Sequence, residues 1–250
     1  MNRPELSVVI PVYNEEARVG RTLEEAIAYL KKKGILSEIL VVDDGSEDGT
    51  LQVVGRFLKK TGRHVSLKIL NHSSNQGKGA AVRTGFMAAK GRWVLYMDAD
   101  NSTPLSQFDR FQPALEKGYE VLIGSRAVDR KLVKVHQPIY REAMGRFFNL
   151  LVQLVTIPGL WDTQCGFKAF KREAVQSIFP LQTIHRFGFD VELLFIARKQ
   201  GFKILEIPVE WFDSPYSKVH IVRDSAQMFL DLLIIRWNDL KGRYISQPKR

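Results

Sequence analysis

Short apolar runs alternate with helical patterns through the first half of the chain. Apolar residues recur near a 3.6-residue period in the first helical pattern, at Val19, Leu23, Ile27 and Leu30. The predicted strands are Leu6–Tyr13, Glu38–Asp43, Val65–Leu70, Trp93–Asp98 and Val121–Ser125. The predicted helices are Glu15–Lys33, Thr50–Lys60 and Lys78–Ala89. Because nearly continuous apolar strands separated by helices indicate a parallel sheet, the pattern predicts an α/β fold with a mainly parallel central sheet and helices on both faces.

The second half of the chain is less regular. A basic segment, residues 125–138, leads to an amphipathic helical pattern over Ile139–Thr156, and another helical pattern covers Asp224–Leu240. Two further helical patterns and the strand-like "KILEIPVEW" lie between them. Since no repeat interrupts the chain, we expect one domain over residues 1–250, with a nucleotide-type first half (1–125), a substrate-type second half (126–212) and a C-terminal amphipathic helical segment (213–250).

Carboxylates follow two of the predicted strands. Asp43 and Asp44 end the second strand, and Asp98 and Asp100 end the fourth. Ligands of parallel sheets bind outside the carboxyl ends of the strands. Two hard oxygen donors one residue apart suit Mg²⁺ or Mn²⁺, which would bridge them to a diphosphate. The alternative is a solvated strand end capped by turn-forming residues, and two acidic pairs in a basic chain weaken that alternative.

A glycine-containing segment, "NQGKGAAVRTG" at residues 75–85, marks a loop that turns into a helix. Backbone amides at such a turn can approach a phosphate or a ribose. The segment is not the dinucleotide fingerprint, which follows a first strand, and the P-loop pattern is absent. A flexible turn followed by a helix start remains the alternative.

Basic residues follow the fifth predicted strand. Arg126 could grip a diphosphate with paired donors, whereas Arg130, Lys131 and Lys134 could equally form a solvated face. Farther on, Asp162 in "LWDTQCGFKAF" is either a carboxylate positioned at the acceptor or a helix cap.

Composition narrows the possible partners. A net charge of +10 favours anionic partners such as phosphates, nucleic acid or an acidic membrane surface. Nucleic acid is disfavoured because no known binding pattern is present. The single cysteine and five dispersed histidines indicate that any metal is held by oxygen. Without a signal sequence or an apolar run of about 18 residues, we expect a cytoplasmic protein, peripheral on the membrane, whose oligomeric state is open.

Six segments in chain order resemble the inverting family 2 glycosyltransferases. They are "VVIPVYNEE", "VVDDGSEDGT", "NQGKGAAVRTG", "DADNSTP", "GSR" and "DTQCGF". Within that family, "DTQCGFKAF" and the tail "SKVHIVRDSAQMFLDLLIIRW" look most like the dolichyl-phosphate β-glucosyltransferases and their prokaryotic polyprenyl-phosphate relatives. The resemblance implies a GT-A-type nucleotide-diphospho-sugar transferase fold, a divalent ion (Mg²⁺ or Mn²⁺), and inverting transfer of glucose from UDP-glucose to a dolichyl- or undecaprenyl-type phosphate. It also implies a single catalytic domain in which residues 1–125 are the nucleotide-sugar-binding half and residues 126–212 are the acceptor half.

The resemblance also implies roles for individual residues. Asp100 would hold the metal with Asp98, while Ser102 stands where related mannosyltransferases have a glutamine ligand. Arg126 would meet the diphosphate, and Asp162 would orient the attack or accept a residual proton. The residues implied around the nucleotide sugar are Pro11, Tyr13, Glu15, Asp43, Asp44, Gly77, Lys78 and Asp98.

The acceptor is the least constrained part of the prediction. Candidates for binding its phosphate are Arg130, Lys131, Arg141 and Lys218. The two amphipathic helical patterns could lie in the membrane interface, or they could simply pack in the core. Two rival functions remain: the same fold could transfer another sugar (from a UDP-sugar or GDP-mannose) or use a soluble acceptor, and a catalytically silent nucleotide-binding or membrane scaffold is the third possibility.

Overall fold

Seven strands form one central sheet in the computed structural model, which describes residues 3–135, 139–213 and 221–245. The strands are β1 (Leu6–Val12), β2 (Ser37–Asp43), β3 (Val65–Asn71), β4 (Trp93–Met97), β5 (Val121–Ser125), β6 (Val133–Val135), β7 (Phe167–Lys171), β8 (Ile204–Pro208) and β9 (Trp211–Phe212). Their order across the central sheet is β3-β2-β1-β4-β7-β5-β8, and β6 pairs with β9 in a separate two-stranded sheet. The predicted α/β architecture is therefore confirmed.

Helices connect the strands and cover the sheet. They are α1 (Val19–Lys33), α2 (Thr50–Gly55), α3 (Lys78–Ala88), α4 (Gln112–Leu115), α5 (Ile139–Val155), α6 (Arg172–Ile178), α7 (Phe189–Lys199) and α8 (Ile221–Leu240). The prediction placed the start of α1 too early, because Glu15 lies in the preceding turn and its carboxylate pairs with Arg18. It also placed the end of α2 too late: turns with three-residue hydrogen bonds follow Gly55, a residue that weakens helices.

The central sheet contains one strand that the sequence pattern did not predict. β7 lies between β4 and β5 and pairs antiparallel with both, whereas the other pairs in the sheet are parallel. The strand was not predicted because Lys168, which is completely buried within β7, interrupts the apolar run. A lysine is almost never fully buried unless it has a partner, so the local pattern does not indicate a strand here.

The segment "KILEIPVEW" forms two strands rather than one. β8 ends at Pro208, which has no backbone N–H to donate to a sheet. The chain then turns toward β6, with which β9 pairs. The short β6–β9 sheet places the basic segment after β5 beside the segment after β8.

Two apolar cores lie on opposite faces of the sheet. One contains residues of α1 and α2 and the aromatic residues Phe108 and Phe111. The other contains residues of α3, α5, α6, α7 and α8. Neighbouring residues of β1 alternate between them, since Val8 belongs to the first and Val9 to the second. Strands from both predicted halves share this sheet, while the proposed division of residues 1–250 into functional parts stays a prediction.

Candidate active site

Three parallel strands end level with one another at one edge of the sheet. Val12 at the end of β1 pairs with Asp43 of β2, and Asp43 pairs with Asn71 of β3. Just beyond the ends of β1 and β4, Asn14 and Asn101 adopt left-handed backbone conformations with φ of 53° and 58°. Asparagine tolerates this region better than most residues. The chain therefore turns sharply at both residues, and the polar residues of several loops lie close together at this edge of the sheet.

The two carboxylates that follow β4 have different surroundings. Oδ1 of Asp98 lies 2.6 Å from Nζ of Lys78. Oδ1 of Asp100 accepts a hydrogen bond from the backbone N–H of Ser102 at 3.0 Å, and its Oδ2 lies 4.0 Å from Nη1 of Arg18. Burial, followed by the charge of Asp98, raises the pKa of Asp100. An added cation would therefore relieve an unfavourable concentration of negative charge.

These carboxylates fit a divalent ion that is shared with a substrate. Both keep part of their surface open, with 31% of the Asp98 side chain and 23% of the Asp100 side chain exposed. Within the described ranges, no cluster of three or more His, Cys, Asp or Glu side chains forms a complete metal site. Mg²⁺ is often bound by one or two carboxylates together with substrate phosphates. Ser102 is buried beside Asp100, and its role as a third ligand stays a prediction.

The acidic pair at the end of β2 accepts hydrogen bonds from two loops. Asp43 accepts from the backbone N–H of Ser46 at 3.2 Å. The Asp44 carboxylate is nearly completely buried and accepts from His72 Nδ1 at 2.7 Å and from the backbone N–H groups of Gln76 and Gly77 at 2.9 and 2.8 Å. Asp44 therefore holds the glycine loop, and the nucleotide-sugar roles predicted for Asp43 and Asp44 stay predictions.

Close packing explains the glycine at the start of α3. Gly77 has a φ of 105°, and a Cβ there would lie 2.5 Å from the carbonyl oxygen of His185. The same carbonyl accepts from the backbone N–H of Ala80 at 3.1 Å. This packing fixes the position of Lys78, whose ammonium reaches Asp98. Burial opposes its charge, but Asp98 and Asp190 outweigh burial and raise the pKa of Lys78.

The turn after β1 brings an arginine that the sequence analysis missed. Arg18 binds Glu15 through two hydrogen bonds, both 2.7 Å long, and it also approaches Asp100. Its only sequence signal is the three-residue spacing from Glu15. Pro11 is buried within β1, whereas Tyr13 is 37% exposed at the edge. The nucleotide contacts predicted for Pro11, Tyr13 and Glu15 stay predictions.

Arg126 and Asp162, which the sequence suggested for separate tasks, bind each other. The Arg126 guanidinium donates from Nε and Nη2 to the two Asp162 oxygens at 2.7 and 2.8 Å, and its backbone N–H adds a 2.9 Å bond. Asp162 caps no helix, contrary to one alternative. Burial alone would raise the pKa of Asp162, but the Arg126 charge and these hydrogen bonds outweigh burial and hold that pKa below its ordinary value.

A buried polar cluster lies behind the candidate site. Nζ of Lys168 donates to Asp190 Oδ1 at 2.7 Å, to the backbone oxygen of Cys165 at 2.6 Å and to Tyr96 Oη at 3.1 Å. Tyr96 also donates to Asp190. The cluster ties β4, the loop before β7 and the start of α7 together. Burial raises the pKa of the Cys165 thiol to about 12, so this thiol stays protonated at neutral pH.

Two of the four residues predicted for the acceptor phosphate, Arg130 and Lys131, lie on the segment after β5, and Arg141 lies on α5. Arg130 pairs with Glu142 at 2.5 Å, and the backbone N–H of Lys131 donates to Asp129 at 3.1 Å. Lys218 lies outside the described residues, and the side chain of Arg141 is likewise not described. The acceptor roles of these four residues stay predictions.

Gly166 is expected to be essential for the position of Asp98. A Cβ at Gly166 would overlap the Asp98 carboxylate. The carbonyl oxygen of Gly166 also accepts a hydrogen bond from the Asp98 backbone N–H at 3.2 Å. We expect Gly166→Ala to lower turnover by about 10²-fold, because a shift of roughly 1 Å at reacting groups has effects of that size. Gly55→Ala is the matched control, since a Cβ there meets nothing within 4 Å. Equal initial rates for the two variants would contradict the expectation.

Comparison with known proteins supports a single assignment. The sequence model described as "Glycosyl transferase family 2" matches residues 7–179. The chain is 38% identical to dolichyl-phosphate beta-glucosyltransferase ALG5D of Trichomonas vaginalis, over 92% of this chain and 72% of the relative. It is also 38% identical to dolichyl-phosphate beta-glucosyltransferase of Saccharomyces cerevisiae, over 98% of this chain and 78% of the relative.

A solved structure supports the fold independently. Glucosyl-3-phosphoglycerate synthase of Mycobacterium tuberculosis, solved with Mn²⁺, UDP and glucosyl-3-phosphoglycerate, superposes with a TM-score of 0.67. The match is 19% identical and covers 93% of this chain and 80% of that one. At this identity the likeness concerns the fold. Since the family match covers more than half of the chain and the relatives match nearly all of it, the protein belongs to glycosyl transferase family 2 and is a glycosyltransferase with a GT-A-like fold.

Proposed function

We propose that this protein transfers glucose from UDP-glucose to a polyprenyl phosphate of the dolichyl or undecaprenyl type and inverts the configuration at the sugar. The observation that carries the proposal is the pair of partly exposed carboxylates, Asp98 and Asp100, facing Lys78 of the glycine loop at the carboxyl edge of the sheet. Relatives named dolichyl-phosphate beta-glucosyltransferase match this chain over more than nine-tenths of its length. That combination favours a diphosphate donor and a lipid-phosphate acceptor.

The donor lies across the edge formed by β1, β2 and β4 in this proposal. Tyr13 offers an exposed aromatic ring for the base, and the base would lie between this ring and the loop that Asp44 holds, next to Asp43. Asp98 and Asp100 would hold Mg²⁺ or Mn²⁺ together with the diphosphate. When bound, this ion supplies charge stabilisation to the leaving diphosphate. Glucosyl-3-phosphoglycerate synthase, which shares the fold, has been solved with Mn²⁺ and UDP.

The reaction follows from the charges of the two substrates. An oxygen of the acceptor phosphate forms a bond to C1 of glucose while the bond from C1 to the UDP oxygen breaks on the opposite face. The electron pair leaves with UDP, so an α-linked donor gives a β-linked product. A phosphate monoester is already largely ionised near pH 7, and no strong general base is required.

Asp162 acts in this proposal as a positioning residue rather than a base. Both of its oxygens accept hydrogen bonds from Arg126, and its lowered pKa leaves it a poor proton acceptor. The Nε and Nη2 edge of Arg126 is occupied by this pairing. Arg126 therefore presents a fixed positive charge to an anionic substrate. Its guanidinium carbon lies 5.4 Å from the centre of the Trp211 ring, which also holds the side chain in place.

The direct test is a transfer assay with the purified chain. The protein is incubated with UDP-glucose labelled in the sugar, Mg²⁺ or Mn²⁺, and a polyprenyl phosphate. Label that moves into the organic phase, in a product that mild acid hydrolyses, supports the proposal. Label transferred to a soluble sugar would instead favour the second candidate, a soluble acceptor on the same fold. Parallel reactions with other UDP-sugars and GDP-mannose test the donor, and UDP release no faster than background would favour a silent scaffold.

An exposed apolar face supports the proposed approach to a lipid acceptor. α5 and α8 contact each other, and each exposes a stripe of large apolar side chains. The stripe residues are Tyr140, Met144, Phe147, Leu150 and Leu154 on α5, and Phe229, Leu230, Leu233, Ile234, Trp237 and Leu240 on α8. The exposed Arg146 and Arg236 flank them. No helix in the described ranges is both long and apolar enough to cross a membrane. We propose that this face lies on an anionic lipid surface.

Charged substitutions on this face are expected to weaken membrane binding. Phe147 and Leu154 are 63% and 74% exposed, so changing them to glutamate should leave the fold intact. We expect the double variant Phe147→Glu with Leu154→Glu to lower binding to vesicles by at least ~10-fold, because burial of each such side chain contributes roughly 2 kcal/mol. Co-sedimentation with vesicles of anionic lipid measures the effect. Leu58→Glu, an exposed site on the opposite face of the sheet, is the control.

A further inference from the structure

Two cations of this chain lie against the carboxylates that would hold the metal. Nζ of Lys78 is 2.6 Å from Asp98 Oδ1, and Nη1 of Arg18 is 4.0 Å from Asp100 Oδ2. Arg18 directly precedes α1 and Lys78 is the first residue of α3, and these two helices cover opposite faces of the sheet. A bare divalent ion would therefore meet carboxylates that already have counter-ions.

The two cations differ in how they are held. Arg18 is bound by Glu15 through two hydrogen bonds, and 16% of its side chain is exposed. Lys78 has a flexible stem and a compact ammonium, and its side chain is 25% exposed. Its backbone is fixed by the packing of Gly77 against His185. The ammonium of Lys78 can thus exchange partners without movement of the loop, whereas Arg18 stays with Glu15.

Local charge favours the joint arrival of a metal and a diphosphate. Glu15, Asp98 and Asp100 carry three negative charges, and Lys78 and Arg18 carry two positive ones, so this group has one net negative charge. Two other acidic residues near this group are already paired with cations, Asp162 with Arg126 and Asp190 with Lys168. A divalent ion alone would make the group positive, and a diphosphate alone would add negative charge. The two together leave the net charge nearly unchanged.

We propose that Lys78 is an exchangeable counter-ion of Asp98, which keeps the metal affinity low until a nucleoside diphosphate offers the ammonium a second anionic partner. This inference rests on the proposed function, since it concerns the same site. Metal and diphosphate then bind with positive coupling, and each raises the affinity of the other by the same factor. The protein binds a complete metal–diphosphate unit and excludes the bare ion.

The test measures Mn²⁺ binding without any reaction. Free Mn²⁺ is followed by electron paramagnetic resonance in the absence and presence of UDP, for the wild type and for Lys78→Met. We expect Lys78→Met to bind Mn²⁺ without UDP about 10-fold more tightly, and UDP to enhance its Mn²⁺ affinity less, because couplings between sites are typically 5- to 150-fold. Affinity without UDP that is equal to or weaker than that of the wild type would overturn the proposal.

Two control variants separate charge from other effects. Lys78→Arg keeps the positive charge and should bind bare Mn²⁺ as weakly as the wild type. Lys68→Met removes a lysine that pairs with Glu38 on β2, away from the metal carboxylates, and should also match the wild type. If Lys78→Met does not fold by circular dichroism, Lys78→Gln provides the same comparison.

The measurements also distinguish the inference from the proposed function. If wild-type protein with Mn²⁺ does not bind UDP, then the proposed donor is wrong, while the comparison of bare Mn²⁺ affinities still tests Lys78. If UDP binds and enhances Mn²⁺ binding equally in the wild type and Lys78→Met, then the donor is supported and the counter-ion role is wrong.

Discussion

Asp100→Ala is expected to lower metal-dependent glucosyl transfer by at least ~10²-fold, because in the proposed function the variant loses a ligand of the ion that stabilises the leaving diphosphate. The variant should fold as stably as the wild type. Burial and the neighbouring Asp98 raise the pKa of Asp100, which means that its charge is less favourable in the folded protein than in the unfolded chain. Removal of that charge should therefore leave the free energy of unfolding at neutral pH unchanged or slightly higher. The organic-phase transfer assay and urea unfolding measure the two effects.

A carboxylate elsewhere on the molecule provides the control for Asp100. Asp109→Ala removes an exposed carboxylate that pairs with Lys33 at 2.8 Å near the far end of α1. Its turnover should equal that of the wild type. Asp100→Ala with wild-type rates at saturating metal would remove this residue from the site, and a large loss of stability would mean that it has a structural role instead.

Asp162→Asn is expected to impair both stability and turnover. The variant leaves the Arg126 guanidinium without the carboxylate that binds it bidentately. Removal of one partner from a buried ion pair typically costs about 3 kcal/mol of unfolding free energy. Turnover should fall by roughly 10²-fold, since the positive charge near the leaving group is no longer held in place. Chemical denaturation and initial rates report the two losses.

A double variant separates the structural role of this pair from the catalytic one. Asp162→Asn combined with Arg126→Met removes both charges and should recover most of the lost stability, because no unpaired charge remains buried. Turnover should stay low, since the fixed cation is also gone. Recovery of turnover together with stability would show that the pair serves folding alone.

The stability difference between the wild type and Asp162→Asn is also expected to depend on pH. The pKa of Asp162 is lowered in the folded protein, so the pair contributes its full stability above the ordinary carboxyl pKa of about 3.9. That contribution is lost as the pH falls through the lower pKa of the folded state. Unfolding free energies measured from neutral to acid pH should therefore converge at the acid end.

Most elements of the fold could be predicted from local patterns. β5 has the predicted bounds, and β1, β2, β3 and β4 each differ from the prediction by one residue at an end. The prediction missed β7 because Lys168 can be buried only with side-chain partners from β4 and α7, which are remote in sequence. A local pattern contains no information about such partners.

In the candidate site, too, local motifs predicted individual residues but not the contacts between residues that are remote in sequence. Motifs at strand ends identified Asp98, Asp100, Lys78 and Arg126 as residues of interest, and the motif after an apolar helical pattern identified Asp162. The sequence did not indicate which cation pairs with which carboxylate, because the partners come from different loops. Arg18 and Gly166 were missed as site residues, although Gly166 lies within a recognised motif and is fixed by the space that Asp98 requires.

The sequence by itself determined the α/β class, the positions of the polar residues at strand ends and the resemblance to the family, because each depends on residues that are close together in the chain. Only the tertiary structure decided that Asp162 binds Arg126, that Lys78 meets Asp98, and that an antiparallel strand separates β4 from β5. These outcomes depend on contacts between distant segments, where several oppositely charged side chains compete and packing selects among them.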